Sequence, residues 1–135
     1  MTVRSMRSAD EPAVRSLQGH LKYADQELVT AALEGPFLGL VVETDGDVAG
    51  YAIAFPGRET TLSELVVAPE HRGSGHGRAL VEAVAVETSG DGLVVTTPVG
   101  EQEAQRFYEA LGFEVDERLS GFYGDDDALR LVRRE

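Results

Sequence analysis

The chain has 135 residues, of which 24 are acidic and 12 are basic, and it contains no cysteine. This length suits one hydrophobic core, so we expect residues 1–135 to form a single domain. The net charge of -12 argues against a nucleic-acid-binding surface, and the lack of cysteine excludes disulfides, thiolate metal sites and cysteine nucleophiles.

The basic residues are almost all arginine, and Lys22 is the only lysine. A scattered acidic surface indicates adaptation to a high-salt cytoplasm, with attraction of a cationic substrate as the alternative. No apolar segment approaches the roughly 20 residues needed to span a bilayer, so we expect a cytoplasmic protein. The three histidines are too dispersed to suggest a metal site; they are His20, His71 and His76.

The first half of the chain predicts a short strand, two helices and a β-hairpin. Apolar periodicity and turn residues give the bounds. The strand is expected at Val3 to Met6, the helices from Ser8 to about Lys22 and from about Asp25 to Leu33, and the hairpin strands at Phe37 to Glu43 and Val48 to Phe55, joined by Asp45-Gly46-Asp47.

The second half predicts four strands and two helices. They are a strand at Thr61 to Val67, a buried helix at Arg78 to Thr88, a strand at Leu93 to Thr97, a helix at Glu101 to Leu111 ended by Gly112, and closing strands at about Phe113 to Leu119 and Ala128 to Arg133. Seven strands and about four helices predict a mixed α/β domain without internal repeats.

A glycine-rich turn lies between the strand that ends at Val67 and the helix that follows. The N-terminus of a helix gathers free backbone N–H groups and favours a phosphate, and glycine lets an anion approach the backbone. The turn lacks the Lys-Ser/Thr end of a Walker A loop and the G-x-G-x-x-G spacing of a dinucleotide site. We therefore predict phosphate binding by Arg72, Gly73, Ser74, Gly75, His76, Gly77 and Arg78.

A branched side chain at Gly75 or Gly77 is expected to fill the phosphate site and to oppose a positive φ. An ordinary strand-to-helix turn is the alternative. Three glycines lose much conformational entropy when the chain folds, and an ordinary turn without a ligand does not explain why all three are present.

The turn resembles the R/Q-x-x-G-x-G/A signature of the GNAT N-acetyltransferases, matched here by Arg72, Gly75 and Gly77. The segment from Arg106 to Phe113 is similar to the family's second cofactor motif, and the resemblance spans the whole chain. It implies a GNAT fold, with a mostly antiparallel sheet splayed between strands 4 and 5, and acetyl-CoA as the cosubstrate. It also implies that pantetheine lies in the splay, beside the backbone of Leu65, Val66 and Val67.

The resemblance also implies two catalytic side chains. Tyr108 occupies the position of the tyrosine that protonates the departing thiolate, with a core tyrosine as the alternative. Glu64 lies on the fourth strand, where relatives often carry the base that takes the amine proton; a carboxylate on a solvated strand face is the alternative. The chain has Thr96 where some peptide N-terminal acetyltransferases carry a fifth-strand glutamate, and Glu101 where many carry an asparagine.

The segment from Gly121 to Leu129 is similar to the substrate-covering segment of ribosomal-protein and peptide N-terminal acetyltransferases. The similarity implies that Phe122 and Tyr123 contact the acceptor and that Asp125 to Asp127 attract an ammonium group. A hairpin loop with solvent-facing aspartates is the alternative.

Together these features predict an acetyl-CoA-dependent N-acetyltransferase in which a primary amine attacks the thioester directly. A peptide or protein N-terminal α-amine is the favoured acceptor, and a small-molecule amine is the alternative. A non-catalytic acyl-CoA-binding or regulatory module is the competing hypothesis. No nucleic-acid, membrane or metal partner is expected, and the sequence is compatible with a monomer or a homodimer.

Overall fold

The structure, a computed structural model, describes residues 1–88 and 90–134. These residues form seven strands and four α-helices, with short 3-10 turns at Ser8–Asp10 and Pro69–His71. The elements are β1 (Thr2–Ser5), α1 (Glu11–Gln18), α2 (Gln26–Glu34), β2 (Leu38–Thr44), β3 (Asp47–Phe55), β4 (Thr60–Val67), α3 (His76–Glu87), β5 (Gly92–Pro98), α4 (Gln102–Ala110), β6 (Glu114–Leu119) and β7 (Ala128–Arg134). The predicted mixed α/β class is confirmed.

The strands form one sheet in the order β1-β2-β3-β4-β5-β7-β6. Neighbouring strands are antiparallel except β4 and β5, which are parallel. These two strands pair only where residues 60–62 face residues 93–95, and beyond that point they diverge. The predicted splay between strands 4 and 5 is therefore confirmed, and it leaves a gap between 63–67 and 96–98.

A β-bulge in β4 decides which face of the sheet carries Glu64. Ile53 lies opposite Glu64 and Ala54 lies opposite Leu62, so Ser63 is the extra residue. Because a bulge shifts the alternation of side chains by one position, Leu62 belongs to the core cluster that contains Leu80 of α3, whereas Glu64 faces the opposite cluster under α1 and α2.

Helix α1 ends at Gln18, four residues before the predicted end near Lys22. The backbone turns out of the helix through the hydrogen bonds His20 N to Leu17 O and Leu21 N to Gln18 O, both 3.0 Å. The residues that follow, 19–25, form a loop rather than a helical turn, and Asp25 caps α2 by accepting a hydrogen bond from Glu27 N at 2.9 Å. The bounds of the other elements agree with prediction to within two residues.

The hairpin between β2 and β3 has the predicted turn. Asp45 and Gly46 both have positive φ, 54° and 83°, as a type I′ turn requires. None of the helices in the described ranges has the length and apolar composition needed to cross a membrane.

Candidate active site

A cavity of ≈ 580 Å³ opens where β4 and β5 diverge. It is bounded by the glycine-rich turn, by the diverging ends of the two strands, by α4 and by the loop of residues 19–25. The cavity brings together every predicted site residue except Ser74, Phe122 and the aspartates Asp125 to Asp127. Residues far apart in the sequence thus share one site.

The turn before α3 has the properties of an anion-binding site. Gly73 and Gly75 have φ of 79° and 88°, and a Cβ at Gly73 would meet no atom within 4 Å. The backbone N–H groups from Gly73 to Arg78 form no hydrogen bond with the described residues, as expected at the start of a helix. Free N–H groups, the helix dipole and two exposed arginines (Arg72 and Arg78) therefore favour a phosphate here.

Gly77 has a different role from the one expected. It is helical and does not have a positive φ, and an ideal Cβ would lie 3.0 Å from Cζ of Phe107. The absence of a side chain at Gly77 therefore allows α4 to pack closely against the first turn of α3. The expectation that a larger residue would oppose a positive φ is wrong for Gly77, and it applies to Gly75.

His76, the first residue of α3, is buried beneath the turn. Its Nε2 lies 2.7 Å from Oγ1 of Thr44, and its Nδ1 is buried without a hydrogen-bond partner among the residues described. Arg72 at the start of the turn donates from Nε to the carbonyl of Val67 at 3.1 Å. The turn is thus tied to β2 by His76 and to the end of β4 by Arg72.

The backbone of β4 presents alternate groups to the gap. Ala68 N donates to Ala49 O, next to β3, at 2.8 Å, whereas the Val67 carbonyl accepts from Arg72. Successive residues of a strand direct their N–H and C=O groups to opposite sides. The backbone groups of Val67 and Leu65 therefore face the gap. Val66, which the sequence grouped with them, has its backbone groups directed toward β3 by the same alternation, so they face away from the gap.

Tyr108 of α4 is buried, and its side chain lies in the wall of the cavity. Its ring packs edge-on against Phe107 and Phe113, with centroid distances of 5.0 and 5.3 Å. Within the described part of the chain no hydrogen bond is formed by its hydroxyl. Burial, with a smaller contribution from Tyr123, raises the pKa of the Tyr108 phenol well above its usual value, so the proton stays on the hydroxyl at neutral pH.

Glu64 is buried as well, so it does not lie on a solvated strand face. Its carboxylate accepts hydrogen bonds from the hydroxyl of Tyr51 at 2.9 Å, from Nε2 of Gln18 at 2.9 and 3.3 Å, and from the backbone N–H of Asp25 at 3.1 Å. The same side chain lines the cavity.

The two candidate catalytic side chains lie on opposite faces of the sheet. Tyr108 belongs to the core cluster that contains α3, and Glu64 contacts Tyr51 in the cluster under α1 and α2. Thr96 of β5 alternates with Val95, so it shares the face of Glu64 across the gap. A group held in the gap would have a proton donor on one side and a proton acceptor on the other.

Two loops meet above the Glu64 side of the cavity, and we call their contact the clasp. Tyr23 stacks on Tyr123 at a centroid distance of 4.3 Å and an angle of 9°. Asp126 accepts hydrogen bonds from the Tyr23 hydroxyl and from Nζ of Lys22, the latter at 2.8 Å. The Tyr123 hydroxyl donates to the Thr96 carbonyl at 3.3 Å, which attaches the clasp to β5.

The aspartates of the β6–β7 loop already have partners. Lys22 and then Tyr23 lower the pKa of Asp126, while Gly121 N and then Arg118 lower that of Asp127. Phe122 is 55% exposed and packs on the outer side of Tyr123, outside the cavity wall. Of the predicted acceptor contacts, only Tyr123 lies in the cavity.

Three side chains of this site were not identified from the sequence. Gln18, Tyr51 and Tyr23 reach Glu64 or the clasp from elements that are distant in the sequence. Gln18 lies 46 residues and Tyr51 13 residues before Glu64. No local spacing in the sequence predicts such contacts. The signal that the sequence does contain is that Gln18 and Tyr51 carry polar groups at positions where the pattern predicts a buried, apolar face.

Comparisons of this chain with known proteins identify acetyltransferases as its relatives. A family model described as an acetyltransferase (GNAT) domain matches residues 36–115. The mycothiol acetyltransferase of Clavibacter sepedonicus is 33% identical over 118 residues, which are 77% of this chain and 39% of that protein. This chain therefore spans about two fifths of the length of that relative.

Two solved structures superpose over nearly the whole chain. An acetyltransferase of the GNAT family from Desulfovibrio desulfuricans has a TM-score of 0.86 and 28% identity, with 98% of each chain covered. The ribosomal-protein-S18-alanine N-acetyltransferase of Escherichia coli has a TM-score of 0.85 and 23% identity, with 98% of this chain and 92% of that chain covered. The second likeness concerns the fold alone.

Proposed function

The chain belongs to the GNAT acetyltransferase family, and from this we propose that it transfers the acetyl group of acetyl-CoA to a primary amine. One observation carries the proposal. A protonated phenol, Tyr108, and a carboxylate, Glu64, flank a gap in the sheet that opens beside a turn of free backbone N–H groups. This is the set of groups that acetyl transfer from a thioester to an amine requires.

The residues of the cavity fit acetyl-CoA. The turn from Gly73 to Arg78 would hold the diphosphate, because its N–H groups lack partners and the space beside Gly73 is open. The backbone of Leu65 and Val67 would pair with the amides of pantetheine, much as an added strand would. The Arg72 side chain would then release the Val67 carbonyl that it covers.

Acetyl-CoA supplies an acetyl group activated as a thioester. In the transfer a bond forms between the amine nitrogen and the acetyl carbon, the carbon–sulfur bond breaks, the amine gives up a proton and the sulfur takes one. Tyr108 is suited to give the sulfur its proton, because burial keeps its hydroxyl protonated. Glu64 is suited to take the amine proton, directly or through a water molecule, from the opposite face of the sheet.

We propose an α-amine, such as that of a peptide or protein N-terminus, as the acceptor, with a small-molecule amine as the alternative. The resemblance to mycothiol acetyltransferases supports an amine but does not distinguish the two. The clasp supports acceptor binding on the Glu64 side, since Tyr23 and Tyr123 border that part of the cavity.

The test is release of free thiol from acetyl-CoA in the presence of a panel of amines, including peptides with free N-termini. The chain contains no cysteine, so the protein itself contributes no thiol to the assay. We expect thiol release that depends on the amine, with mass spectrometry showing the gain of one acetyl group on it. Tight binding of acetyl-CoA without turnover on any acceptor would instead support the non-catalytic acyl-CoA-binding module.

A further inference from the structure

The Glu64 carboxylate lies in an unusual setting for a side chain that lines a cavity. It is only 6% exposed, and it accepts hydrogen bonds from three other parts of the fold. The donors are the Gln18 amide at the end of α1, the Tyr51 hydroxyl in the middle of β3, and the Asp25 backbone before α2. No cation is among its hydrogen-bond partners in the described ranges.

We infer that Gln18 and Tyr51 are positioning residues, which orient the carboxylate of Glu64 toward the gap through neutral hydrogen bonds. The inference rests on the proposed role of Glu64 as the base. A buried carboxylate without donors would be costly to ionise, whereas a lysine or arginine partner would hold it too firmly as an anion to accept a proton.

The geometry fixes the orientation of the carboxylate. Oε1 accepts from Tyr51 and Gln18, both at 2.9 Å, whereas Oε2 accepts from Asp25 N at 3.1 Å and more distantly from Gln18 at 3.3 Å. Oε2 therefore has the longer and weaker bonds, and it is the oxygen with capacity for a further proton donor. Two of the donors cannot readily leave, because Tyr51 is fully buried and Gln18 is also bonded to the Asp25 carbonyl at 2.9 Å.

Tyr51 remains a donor over the whole useful pH range. Burial, and then the charge of Glu64, raise the pKa of the Tyr51 phenol far above its usual value. The other groups that face Glu64 are the neutral Gln18 of α1 and the Asp25 backbone, while the Asp25 carboxylate points to α2 as its cap. His20, Lys22 and Tyr123 line the same cavity from the two loops, without a hydrogen bond to Glu64.

Tyr51→Phe removes one hydroxyl and leaves the ring in the core, so it tests the inference most directly. A hydrogen bond to a charged group contributes about 1.5–3 kcal/mol, which corresponds to about one to two pH units in the position of a titration. We expect the acid limb of the kcat–pH profile, measured with saturating acetyl-CoA and one fixed acceptor, to move to higher pH by about that amount. Gln18→Met is expected to move it in the same direction, and the KM for acetyl-CoA should not change.

Tyr23→Phe is the matched control. It also removes a tyrosine hydroxyl that donates to a carboxylate, but the carboxylate is that of Asp126, which lies outside the cavity wall. We expect the acid limb of Tyr23→Phe to stay at the wild-type position. Thermal unfolding and calorimetric binding of acetyl-CoA, measured for each variant, show that the fold and the cosubstrate site are intact.

Glu64→Gln separates failure of the inference from failure of the proposed base. In one outcome, Glu64→Gln loses activity and the acid limb of the kcat–pH profile, while Tyr51→Phe and Gln18→Met both keep the wild-type profile. That outcome overturns the positioning role but leaves Glu64 as the base. If Glu64→Gln itself keeps the wild-type rate and profile, Glu64 is not the base, and the inference falls with it. A shift in Tyr23→Phe as large as that in Tyr51→Phe would also contradict the inference.

Discussion

Gly77 of α3 lies directly against the ring of Phe107 of α4, so close that an ideal Cβ on Gly77 would be 3.0 Å from Cζ and 3.1 Å from Cε1 of that ring. This contact joins the two helices that border the gap, and Phe107 in turn packs edge-on against Tyr108. The second glycine of the signature therefore sets the position of the proposed acid. Gly75, with φ of 88° and the nearest atom 3.9 Å away, has no such contact, and its proposed role is at the phosphate.

Gly75→Val and Gly77→Val should both abolish acetyl-CoA binding, for different reasons. A branched residue at Gly75 opposes the positive φ and enters the anion site, and the protein should remain folded. At Gly77 the side chain displaces Phe107, and overpacking of this kind typically costs about 1–3 kcal/mol of stability. Calorimetric titration of acetyl-CoA, together with urea unfolding, distinguishes the two.

A double-mutant cycle provides the control for this prediction. Phe107→Leu should recover much of the stability lost in Gly77→Ala, since it vacates the space that the new methyl group needs. Phe107→Leu should not recover any stability lost in Gly75→Ala. Equal recovery in both backgrounds, or in neither, would show that Gly77 and Phe107 are not coupled.

Tyr108→Phe should lower kcat strongly while leaving the KM for acetyl-CoA within a small factor of wild type. The ring keeps its edge-on contacts with Phe107 and Phe113, and only the proton donor is lost. General-acid contributions are typically about 100- to 10,000-fold. A loss below about threefold, with the chemical step shown to limit the rate, would make Tyr108 a packing residue.

The sequence predicted those parts of the site that depend on local signals. Gly73 and Gly75 mark a turn because their φ values are accessible mainly to glycine, and Tyr108 follows from the resemblance of its helix to a family motif. The alternation of apolar residues gave the strands, and Asp45-Gly46 gave the hairpin. Each of these features is encoded within a few neighbouring residues.

The setting of Glu64 could not be predicted in that way. Its face of the sheet depends on a bulge at Ser63, and simple alternation along β4 would have placed it beside Leu62. Its donors include side chains of α1 and β3, and α1 itself ends at Gln18, earlier than its periodicity suggested. Tertiary packing decides these contacts, and it has no signature in a short window of sequence.

Asp126→Asn should raise the KM for the acceptor and leave acetyl-CoA binding unchanged. The substitution weakens the hydrogen bonds from Lys22 and Tyr23, which hold the loop of residues 19–25 against the β6–β7 loop. Because the Lys22–Asp126 pair is well exposed, at 62% and 39% of the two side chains, we expect only about a two- to fivefold change.

Salt should have a related effect on the clasp. Added salt screens an exposed pair, so the wild-type acceptor KM should rise toward that of Asp126→Asn, and the variant should respond less. Asp91→Asn, which removes a different exposed pair with Arg58, is the matched control and should behave as wild type. An acceptor KM that is the same in Asp126→Asn and wild type would show that the clasp does not contribute to acceptor binding.

Acid should destabilise the protein partly through Asp10. Its carboxylate accepts two hydrogen bonds from Arg4 at 2.8 Å each and one from Arg7 N at 2.7 Å. The Arg4 hydrogen bonds, opposed by burial, lower the pKa of Asp10 in the folded state. The contribution to stability is thus fully present above the unfolded value of about 3.9, and it is lost as the pH falls through the folded pKa.

Asp10→Asn should therefore cost about 1–3 kcal/mol at pH 7 and flatten the decline in stability below about pH 4. The measurement is urea unfolding at a series of pH values. Glu11→Gln, which removes the exposed Glu11–Arg15 pair, is the control and should lose little at any pH. A slope below pH 4 as steep in Asp10→Asn as in wild type would exclude this role for Asp10.

The last prediction concerns the acceptor, and it follows from the fraction of each kind of amine that is neutral at pH 7. An α-amine with a pKa near 7.8 is about one-seventh neutral at pH 7, whereas a lysine side chain near 10.4 is neutral in only about one molecule in 2500. Glu64 is held by three neutral donors, and Thr96 of β5 lines the same cavity. A base of this kind suits an amine that is already partly neutral.

We therefore expect a peptide with a free N-terminus to be acetylated in preference to the same peptide blocked at its N-terminus and carrying a lysine. The two compete in one reaction at pH 7, and mass spectrometry gives the ratio of the products. Raising the pH to 9 should narrow the preference, because the α-amine is then almost fully neutral while the neutral fraction of lysine still rises about tenfold per unit. Preferential modification of the lysine peptide at pH 7 would refute the α-amine as acceptor, while leaving amine acetylation itself in place.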